Sequence, residues 1–299
     1  MALASARLPA EHAVPVEVLG LPVVLYRDAQ GAVSGWLNIC AHRSAPVVTT
    51  PHRCDRLRCP YHGWTYDRSG SLVRTPGFDG DAGEQRLTPV SVFEREGLVW
   101  VDPSGGASPE PMLDRLRAEG APDTTGWEVH SVEKHPLAAD WSVYVENYLE
   151  AYHIPFVHPA LSKDVELDTY SVHLHEGFVT HEVVPRSGVP AAGFWAWIWP
   201  TTMLNIYAGG MNLERVLPEG PGRCSIEYTY LFEPGLDPAA RDRALDQSRV
   251  VTAEDVEICE AVQRNLDTGL AVQGPLSPRH ETAIERFRDW CARAPRVDE

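Results

Sequence analysis

The sequence has no apolar run that approaches the roughly 20 residues needed to cross a lipid bilayer. Its N-terminus also lacks the basic and then apolar pattern of a secretory signal peptide. Basic residues are scarce, since 26 Lys and Arg stand against 42 Asp and Glu, and the net charge is -16. This charge argues against nucleic acid or an anionic membrane as a partner. We therefore expect a cytoplasmic globular protein.

Two further features are missing. The chain has no nucleotide-binding fingerprint of the Gly-x-Gly-x-x-Gly or Walker type, so we expect any nicotinamide cofactor to bind to another protein. Only six cysteines occur in 299 residues, and they are scattered apart from a cluster of three. In a chain long enough to form its own core, this favours reduced thiols or metal ligands over a disulfide scaffold.

Turn and strand signals divide the chain into two parts. Short strands separated by close turns run through the first hundred residues, which indicates a small antiparallel β-domain. The Pro-, Gly- and Ser-rich segment 102–111 then predicts a boundary, with domains at 1–108 and 109–299. In the second part, several short strands followed by helices predict an α+β domain built on an antiparallel sheet.

The most specific pattern is Cys-x-His, followed after residues 43–58 by Cys-x-x-His. Its members are Cys40, His42, Cys59 and His62. Two thiolates and two imidazoles on facing loops suit a [2Fe-2S] cluster, with the cysteines on one iron and the histidines on the other. The alternative is tetrahedral zinc, although zinc sites usually group two cysteines and then two histidines.

A second candidate metal site lies in residues 146–158. Asp140 is suited to cap a helix, and Pro155 predicts that this helix ends near His153. Four residues fall on one face of it, at steps of four, three and three: Val143, Asn147, Glu150 and His153. Burying such polar groups unpaired is unfavourable, and a metal bound by His153 and His158 would remove that penalty. The alternative is an exposed helix end with incidental histidines.

A 2-His-1-carboxylate iron site needs a third ligand and keeps positions open for oxygen. Residues 237–269 predict a long helix, begun by Asp237-Pro238 and ended by Gly269. Its apolar stripe includes one acid: Val251, Asp255, Ile258, Val262 and Leu266. We therefore predict Asp255 as the third ligand, with Glu254 as the alternative if the helical phase is off by one residue.

The run 193–200 is dense in aromatic residues and predicts a buried strand. Some of these rings are also candidates for the wall of an apolar pocket, together with Met203, Asn205, Tyr207 and Met211. Aromatic faces can hold a quaternary ammonium group by cation–π attraction.

With these motifs the chain resembles the Rieske non-haem iron oxygenases, the family of aromatic-ring-hydroxylating oxygenase α subunits. The resemblance rests on Cys40-Ala-His42, Cys59-Pro-Tyr-His-Gly-Trp64 and Asn147-Tyr-Leu-Glu-Ala-Tyr-His153 with His158. Rieske proteins of cytochrome complexes carry an extra cysteine in each loop, where this chain has Ala45 and Tyr61. Many ring-hydroxylating members have aspartate at the position of Glu150. The glutamate makes this chain more similar to the choline, carnitine and betaine monooxygenase branch.

The resemblance implies a small antiparallel β Rieske domain followed by a catalytic domain of antiparallel sheet and helices, of the helix-grip type. It implies a terminal oxygenase that uses a [2Fe-2S] cluster, mononuclear Fe(II) and O2. NAD(P)H electrons would arrive through a separate flavin and iron-sulfur reductase or a ferredoxin. The expected reaction is monooxygenation of a small molecule, by hydroxylation or oxidative N-demethylation. The alternatives are ring dihydroxylation and, in another class, a Rieske ferredoxin-like electron carrier.

The family also implies a homotrimer in which the cluster of one subunit lies close to the mononuclear iron of the next. By this resemblance, Glu150 would link His62 of one subunit to His153 of its neighbour, and Asn147 belongs to the same catalytic group. A carboxylate can accept from both imidazole N–H groups and fix their orientation. The alternative role for Glu150 is that of a surface acid on an exposed helix.

Overall fold

The computed structural model describes residues 1–103, 108–185 and 193–293. The chain divides into two compact units, the first Met1–Pro111 with Asp123–Trp127 and the second Met112–Pro122 with Glu128–Glu299. Residues 104–107 of the predicted boundary segment lie outside the described residues. Within the described ranges, no helix is both long and apolar enough to cross a membrane.

The first unit is built from short strands that form three antiparallel sheets, in the orders β4-β3-β2-β5, β6-β7-β8 and β1-β10-β9. The strands are β1 Leu3–Ala4, β2 His12–Val18, β3 Leu21–Arg27, β4 Val33–Leu37, β5 His52–Arg53, β6 Leu57–Arg58, β7 Thr65–Tyr66, β8 Leu72–Arg74, β9 Ser91–Arg95 and β10 Leu98–Asp102. This confirms the predicted small antiparallel β-domain.

Strand β2 was not predicted, because Pro15 interrupts the alternation of apolar residues that indicates a strand. The strand pairs along its whole length with β3, and Val14 and Val18 are buried. On its other side, β5 pairs only with His12 and Ala13. Pro15 therefore lies at a sheet edge, where its missing N–H is tolerated.

The second unit contains one antiparallel sheet of seven strands among its described residues, in the order β11-β17-β16-β15-β14-β13-β12. These strands are β11 Glu128–Leu137, β12 Val165–Leu174, β13 Phe178–Pro185, β14 Phe194–Ile198, β15 Thr202–Tyr207, β16 Gly210–Gly220 and β17 Arg223–Phe232. The helices are α1 Glu110–Ala118, α2 Trp141–Tyr148, α3 Ile154–Val157, α4 Pro238–Leu266 and α5 Thr282–Arg293. The α+β prediction is therefore confirmed.

The core of the second unit lies between this sheet and helices α2, α4 and α5. Tyr144 of α2, Leu245 of α4 and Phe287 of α5 belong to one buried cluster with inward residues of the sheet. Trp197 of β14 is fully buried there and meets Phe287 edge to face, with ring centroids 5.5 Å apart. This core fixes α2 and α4, the two helices that carry or lead into the second candidate metal site.

Candidate metal centres and the adjoining cavity

The first motif occupies two loops of the first unit, and each loop contains a backbone turn with the same pair of hydrogen bonds. In the first loop, the N–H of Cys40 donates over 2.8 Å to the carbonyl of Ala45, and the N–H of Ser44 returns to the Cys40 carbonyl over 2.9 Å. Cys59 and Gly63 repeat these two bonds in the second loop, at 2.9 and 3.0 Å. Ser44 and Gly63 have positive φ angles of 53° and 73°, a region that favours glycine.

These turns place the two cysteine thiols beside each other and the two histidine rings beside each other. Cys40 and Cys59 are both buried, and burial together with the neighbouring Cys40 thiol raises the pKa of Cys59. The rings of His42 and His62 meet edge to face, with centroids 4.5 Å apart. The buried Nδ1 atom of His42 has no hydrogen-bond partner, which is unfavourable for an imidazole unless the nitrogen binds a metal. The donor set therefore fits a cluster with both cysteines on one iron and both histidines on the other.

Two aromatic residues support these loops. Trp64 is stacked on the His42 ring, with centroids 4.6 Å apart. The hydroxyl of Tyr66 lies 3.2 Å from Sγ of Cys40 and accepts from the N–H of Ala41 over 3.0 Å. Tyr66 was missed from the sequence. Its signal was its position just after a ligand motif, because a buried tyrosine needs a polar partner for its hydroxyl.

Asn38, also missed from the sequence, holds the first loop in place. Its side chain is buried, and it donates to the carbonyl of Val48 over 2.7 Å. Its oxygen accepts from the N–H groups of Val47 and Val48 over 2.8 and 2.9 Å. These three bonds close residues 39–46 around Cys40 and His42.

We expect Asn38→Ala to destabilise the first unit by about 2–4 kcal/mol, because it leaves three buried backbone groups unpaired. Cluster occupancy should fall with it. The measurement is the temperature at which the visible absorbance of the cluster is lost. Asn38→Asp is the matched variant: its protonated carboxyl can make all three bonds, whereas its ionised form loses the donor and buries a charge, so its loss of stability should grow as the pH rises. An alanine variant with normal cluster content and thermal stability would contradict this role.

The residues predicted for the second centre come together in the second unit. One ligand atom from each of His153, His158 and Asp255 lies within 4.8 Å of the other two. Oδ1 of Asp255 is 3.0 Å from Nε2 of His158 and 3.7 Å from Nε2 of His153. Two ligands about 2.1 Å from one ion, at angles of about 90° to 120°, would be separated by roughly 3.0 to 3.6 Å. The arrangement therefore fits a single metal ion.

A carboxylate backs each of these two histidines. Oε1 of Glu150 is 2.6 Å from Nδ1 of His153, and Oε2 of Glu254 is 2.7 Å from Nδ1 of His158. A carboxylate can only accept, so each Nδ1 carries the proton and each Nε2 keeps its lone pair for a metal. Glu254, the sequence alternative to Asp255, thus lies behind His158 and not among the three converging atoms. The amide of Asn147 donates to Oδ1 of Asp255 over 2.7 Å.

Helix α2 is shorter than predicted. Asp140 caps it as expected, accepting from the N–H of Ser142 over 3.0 Å, but the helix ends at Tyr148 and not near His153. The reason is Glu150, whose side chain accepts from the N–H groups of Tyr152 and His153 in place of helical carbonyls. The prediction of one continuous helical face through residue 153 is therefore wrong.

The residue Pro155 also acts differently from the prediction. It stands in the first turn of the short helix α3, where proline is favoured, and does not simply follow a helix end. The four-residue helix α3 therefore separates His153 from His158. The two imidazoles approach edge to face, with centroids 5.1 Å apart.

The long helix α4 is confirmed, with Asp237 as its cap, but its inward face is partly different from the prediction. Asp255 is buried, whereas the predicted inward residues Ile258, Val262 and Leu266 are 38%, 42% and 46% exposed. Gln263 is inward instead, because its side-chain oxygen accepts from the N–H of Asp140 at the start of α2 over 2.8 Å. A tertiary hydrogen bond thus outweighs apolar periodicity.

A cavity of about 620 Å³ adjoins His153, His158 and Asp255. Six aromatic residues line it: Tyr144, Tyr148, Tyr170, Trp195, Tyr207 and Tyr228. Of the pocket residues suggested by the sequence, Trp195, Asn205 and Tyr207 line this cavity, whereas Met203 and Met211 are fully buried in the core.

Glu214 of β16 also lines the cavity and was missed from the sequence. The hydroxyl of Tyr144 donates to its Oε2 over 2.9 Å, and the amide of Asn205 donates to its other oxygen. Burial raises the pKa of Glu214 to about 7. The available signal was the polar residue Asn212 two positions earlier, because residues two apart in a strand share a face and two polar side chains therefore point inward.

Two family matches cover much of the chain. Residues 1–102 match the Rieske [2Fe-2S] domain, and residues 182–295 match the ring hydroxylating alpha subunit (catalytic domain). A Rieske domain and an oxygenase catalytic domain imply an iron-sulfur cluster and a non-haem iron.

The chain is 32% identical over 273 residues to the chloroplastic choline monooxygenase of Arabidopsis thaliana, covering 82% of this chain and 65% of that protein. It is 26% identical over 271 residues to the carnitine monooxygenase oxygenase subunit of Escherichia coli K12, covering 84% and 72%. The chain therefore spans 65% of the length of the Arabidopsis relative.

The fold is similar to that of the quaternary ammonium Rieske monooxygenase CntA in a crystal structure with its substrate L-carnitine. The TM-score is 0.85 at 22% identity, with 98% of this chain and 87% of that chain covered. Naphthalene 1,2-dioxygenase from Rhodococcus sp., bound to indole, gives a TM-score of 0.73 at 18% identity, with 88% and 76% covered. At these identities the similarity is one of fold.

Proposed function

Since this chain belongs to the Rieske ring-hydroxylating oxygenase α-subunit family, we propose that it is a terminal oxygenase that monooxygenates a small quaternary ammonium compound. The observation that carries this proposal is the convergence of His153, His158 and Asp255 at the wall of a cavity of about 620 Å³. An electron carrier would need only the cysteine and histidine loops of the first unit. A second set of metal-binding atoms beside a ligand-sized cavity favours an enzyme.

The two donor sets have different roles in this proposal. Cys40, His42, Cys59 and His62 would hold a [2Fe-2S] cluster, and His153, His158 and Asp255 would hold Fe(II). When bound, the cluster supplies single electrons, and a 2-His-1-carboxylate iron keeps open positions at which O2 is activated. The three iron-binding residues all line the cavity, so a substrate held there would lie beside them.

Neighbouring residues keep the iron-binding side chains in the required state. Glu150 and Glu254 hold the protons of both histidines on Nδ1, so that Nε2 stays available. Asn147 donates to Oδ1 of Asp255 and fixes the rotation of that carboxylate. The aromatic rings of the wall limit access of water to the reacting carbon.

The substrate class is supported by the relatives and by the cavity. Two of those relatives are named after choline and carnitine, and both compounds carry a trimethylammonium group. Aromatic rings attract such a group by cation–π interaction, and the buried acid Glu214 adds a negative charge. A neutral aromatic hydrocarbon, the substrate class of the dihydroxylation alternative, would gain nothing from that charge.

The electron supply and the assembly are part of the proposal. Because the sequence has no nucleotide-binding fingerprint, NAD(P)H would be oxidised by a separate flavin and iron-sulfur reductase or reach the chain through a ferredoxin. In a homotrimer, Glu150 would extend from His153 to His62 of the neighbouring subunit.

The test is metal content together with substrate-coupled oxygen consumption. We expect about three irons per chain, two in the cluster and one at the second centre. With a surrogate reductase and NADH, choline, carnitine or glycine betaine should stimulate O2 uptake and yield an oxygenated product. Two irons and no coupled uptake would favour the electron carrier, a zinc-loaded protein would overturn both metal assignments, and uptake with aromatic hydrocarbons alone would favour ring dihydroxylation.

A further inference from the structure

We propose that Glu214 is the anionic subsite that selects a quaternary ammonium group in the cavity. This inference rests on the proposed function and adds to it the residue that sets the substrate class. Glu214 lines the cavity, although only 4% of its surface is exposed. It lies on β16, in the middle of the sheet, where neighbouring strands pack on both sides.

The hydrogen-bond partners of Glu214 are all neutral. Tyr144 and Asn205 donate to its carboxylate, the hydroxyl of Tyr228 lies 2.9 Å from that of Tyr144, and none of the three can carry a positive charge. Burial without a cationic partner raises the pKa of Glu214 to about 7, because the ionised carboxylate is disfavoured when it is removed from water and has no counter-charge. A cation that enters the cavity would therefore stabilise the carboxylate as well as itself.

Most of the charged side chains around the cavity are acidic. Three further carboxylates line it: Glu150, Asp164 and Asp255. Among the described lining residues, the only lysine or arginine is Arg243, which is exposed and lies twelve residues before Asp255 on α4, or about 18 Å along the helix axis. His181 adds no positive charge, because burial lowers its pKa to about 4. Fe(II) at the second centre would offset the charge of Asp255, and the remaining acids Glu150, Asp164 and Glu214 leave an excess of negative side chains around the cavity.

The hydrogen bonds that Glu214 already accepts help it to distinguish between kinds of cation. A primary ammonium group carries three N–H donors and needs free acceptor positions when it is buried. Each oxygen of Glu214 already accepts one hydrogen bond, from Tyr144 or Asn205, so fewer such positions remain. A quaternary ammonium group has no N–H, and requires only charge and aromatic surface, which Tyr144 and Tyr228 provide.

The subsite is also close to the proposed iron ligands. The carboxylate of Asp255 is near enough to Glu214 to raise its pKa further by repulsion. A cation held at Glu214 would therefore bring the carbons attached to nitrogen toward His153, His158 and Asp255. Those carbons are the ones whose oxygenation gives hydroxylation beside nitrogen or N-demethylation.

The experiment compares three ligands by anaerobic titration calorimetry on the iron-loaded protein, so that turnover is not needed. The ligands are choline, its neutral isostere 3,3-dimethyl-1-butanol, and ethanolamine as the primary ammonium analogue. The variants are Glu214→Gln, which keeps the shape, and Glu214→Met, which needs no hydrogen bonds if the amide is not accommodated. Asp246→Asn, at an exposed acid of α4, is the matched control for the loss of one negative charge.

We expect the wild-type protein to bind choline at least about tenfold more tightly than either comparison ligand. Both Glu214 variants should lose the preference for choline over the neutral isostere, whereas their affinity for that isostere and the preference of the Asp246→Asn variant should not change. An unchanged preference in a Glu214 variant that binds the isostere normally would overturn the subsite and leave the proposed function standing. Wild-type protein that binds none of choline, carnitine and glycine betaine would overturn both.

Discussion

The Asp255→Ala variant is expected to lose mononuclear iron and all measurable turnover while it keeps the visible spectrum of its cluster. Oδ1 of Asp255 is the atom on which Nε2 of both His153 and His158 converge, at 3.7 and 3.0 Å. Without it two neutral imidazoles remain, and they bind a divalent ion far more weakly than a site that also supplies a carboxylate. Iron content, and the electron paramagnetic resonance signal of the reduced cluster, measure the two centres separately.

Glu254→Ala is the matched control, because it removes the adjacent carboxylate of the same helix. Glu254 contacts only the Nδ1 side of His158, so its loss should weaken iron binding by about 10- to 100-fold without abolishing it. Activity should then return with excess ferrous iron. If Glu254→Ala cannot be rescued and Asp255→Ala retains iron, the two acids have been assigned in the wrong order.

The parts of the fold and site that could be predicted from sequence depend on short-range information. Cys40 and His42 lie in one loop, as do Cys59 and His62, so their spacing alone indicated a shared centre. The hairpin of β3 and β4 was predictable for the same reason, since its strands are joined by one turn. The burial of Asp255 was predictable because it is the one acid on an apolar stripe, although three later members of that stripe, Ile258, Val262 and Leu266, are exposed.

The features that could not be predicted depend on contacts between distant segments. The end of α2 is set by the Glu150 side chain competing for backbone N–H groups, which helix propensity does not include. Gln263 faces inward because of a hydrogen bond to residue 140, across more than a hundred residues. Periodicity placed Ile258 inward instead, because a stripe of apolar residues carries no information about such polar anchors.

The hydrogen-bonded group around Glu214 could not be predicted for a further reason. Glu214 and Asn205 lie on adjacent strands, and Tyr144 reaches them from a helix some seventy residues earlier. In sequence, each is a single polar residue in a mostly apolar segment. Only strand order and register reveal that they form one buried network beside the proposed iron ligands.

The Glu150→Gln variant is expected to keep both metal centres loaded and a cluster that the reductase can reduce, yet to lose almost all substrate oxygenation. In the wild-type protein, Oε1 lies 2.6 Å from Nδ1 of His153 and Oε2 accepts from the turn that carries this residue. Iron on Nε2 keeps the proton on Nδ1, so the amide oxygen must face Nδ1. The amide NH2 then faces backbone N–H groups. An NH2 group cannot accept from a second imidazole, and the amide oxygen is a weaker acceptor than a carboxylate oxygen, so the link between two imidazoles is lost.

Stopped-flow absorbance measures this variant directly, because reduction of the cluster and its substrate-dependent reoxidation are separate phases. We expect normal reduction, and reoxidation slowed by at least about a hundredfold, since an electron route through the bridging acid would be interrupted. Glu257→Gln is the matched control, at an exposed acid on the outer face of α4, and both of its phases should be normal. Near-normal reoxidation in the Glu150 variant would refute the bridge.

The same pair of centres allows a test of whether that route crosses between subunits. A chain with His62→Ala should lack the cluster, and a chain with Asp255→Ala should lack mononuclear iron, so neither is active alone. If electrons pass from one subunit to the next, co-assembled mixtures of the two chains regain part of the wild-type turnover, because some neighbouring pairs combine an intact cluster with an intact iron site. If the route runs within one chain, every mixture stays inactive, and Glu150 then acts only on the His153 beside it.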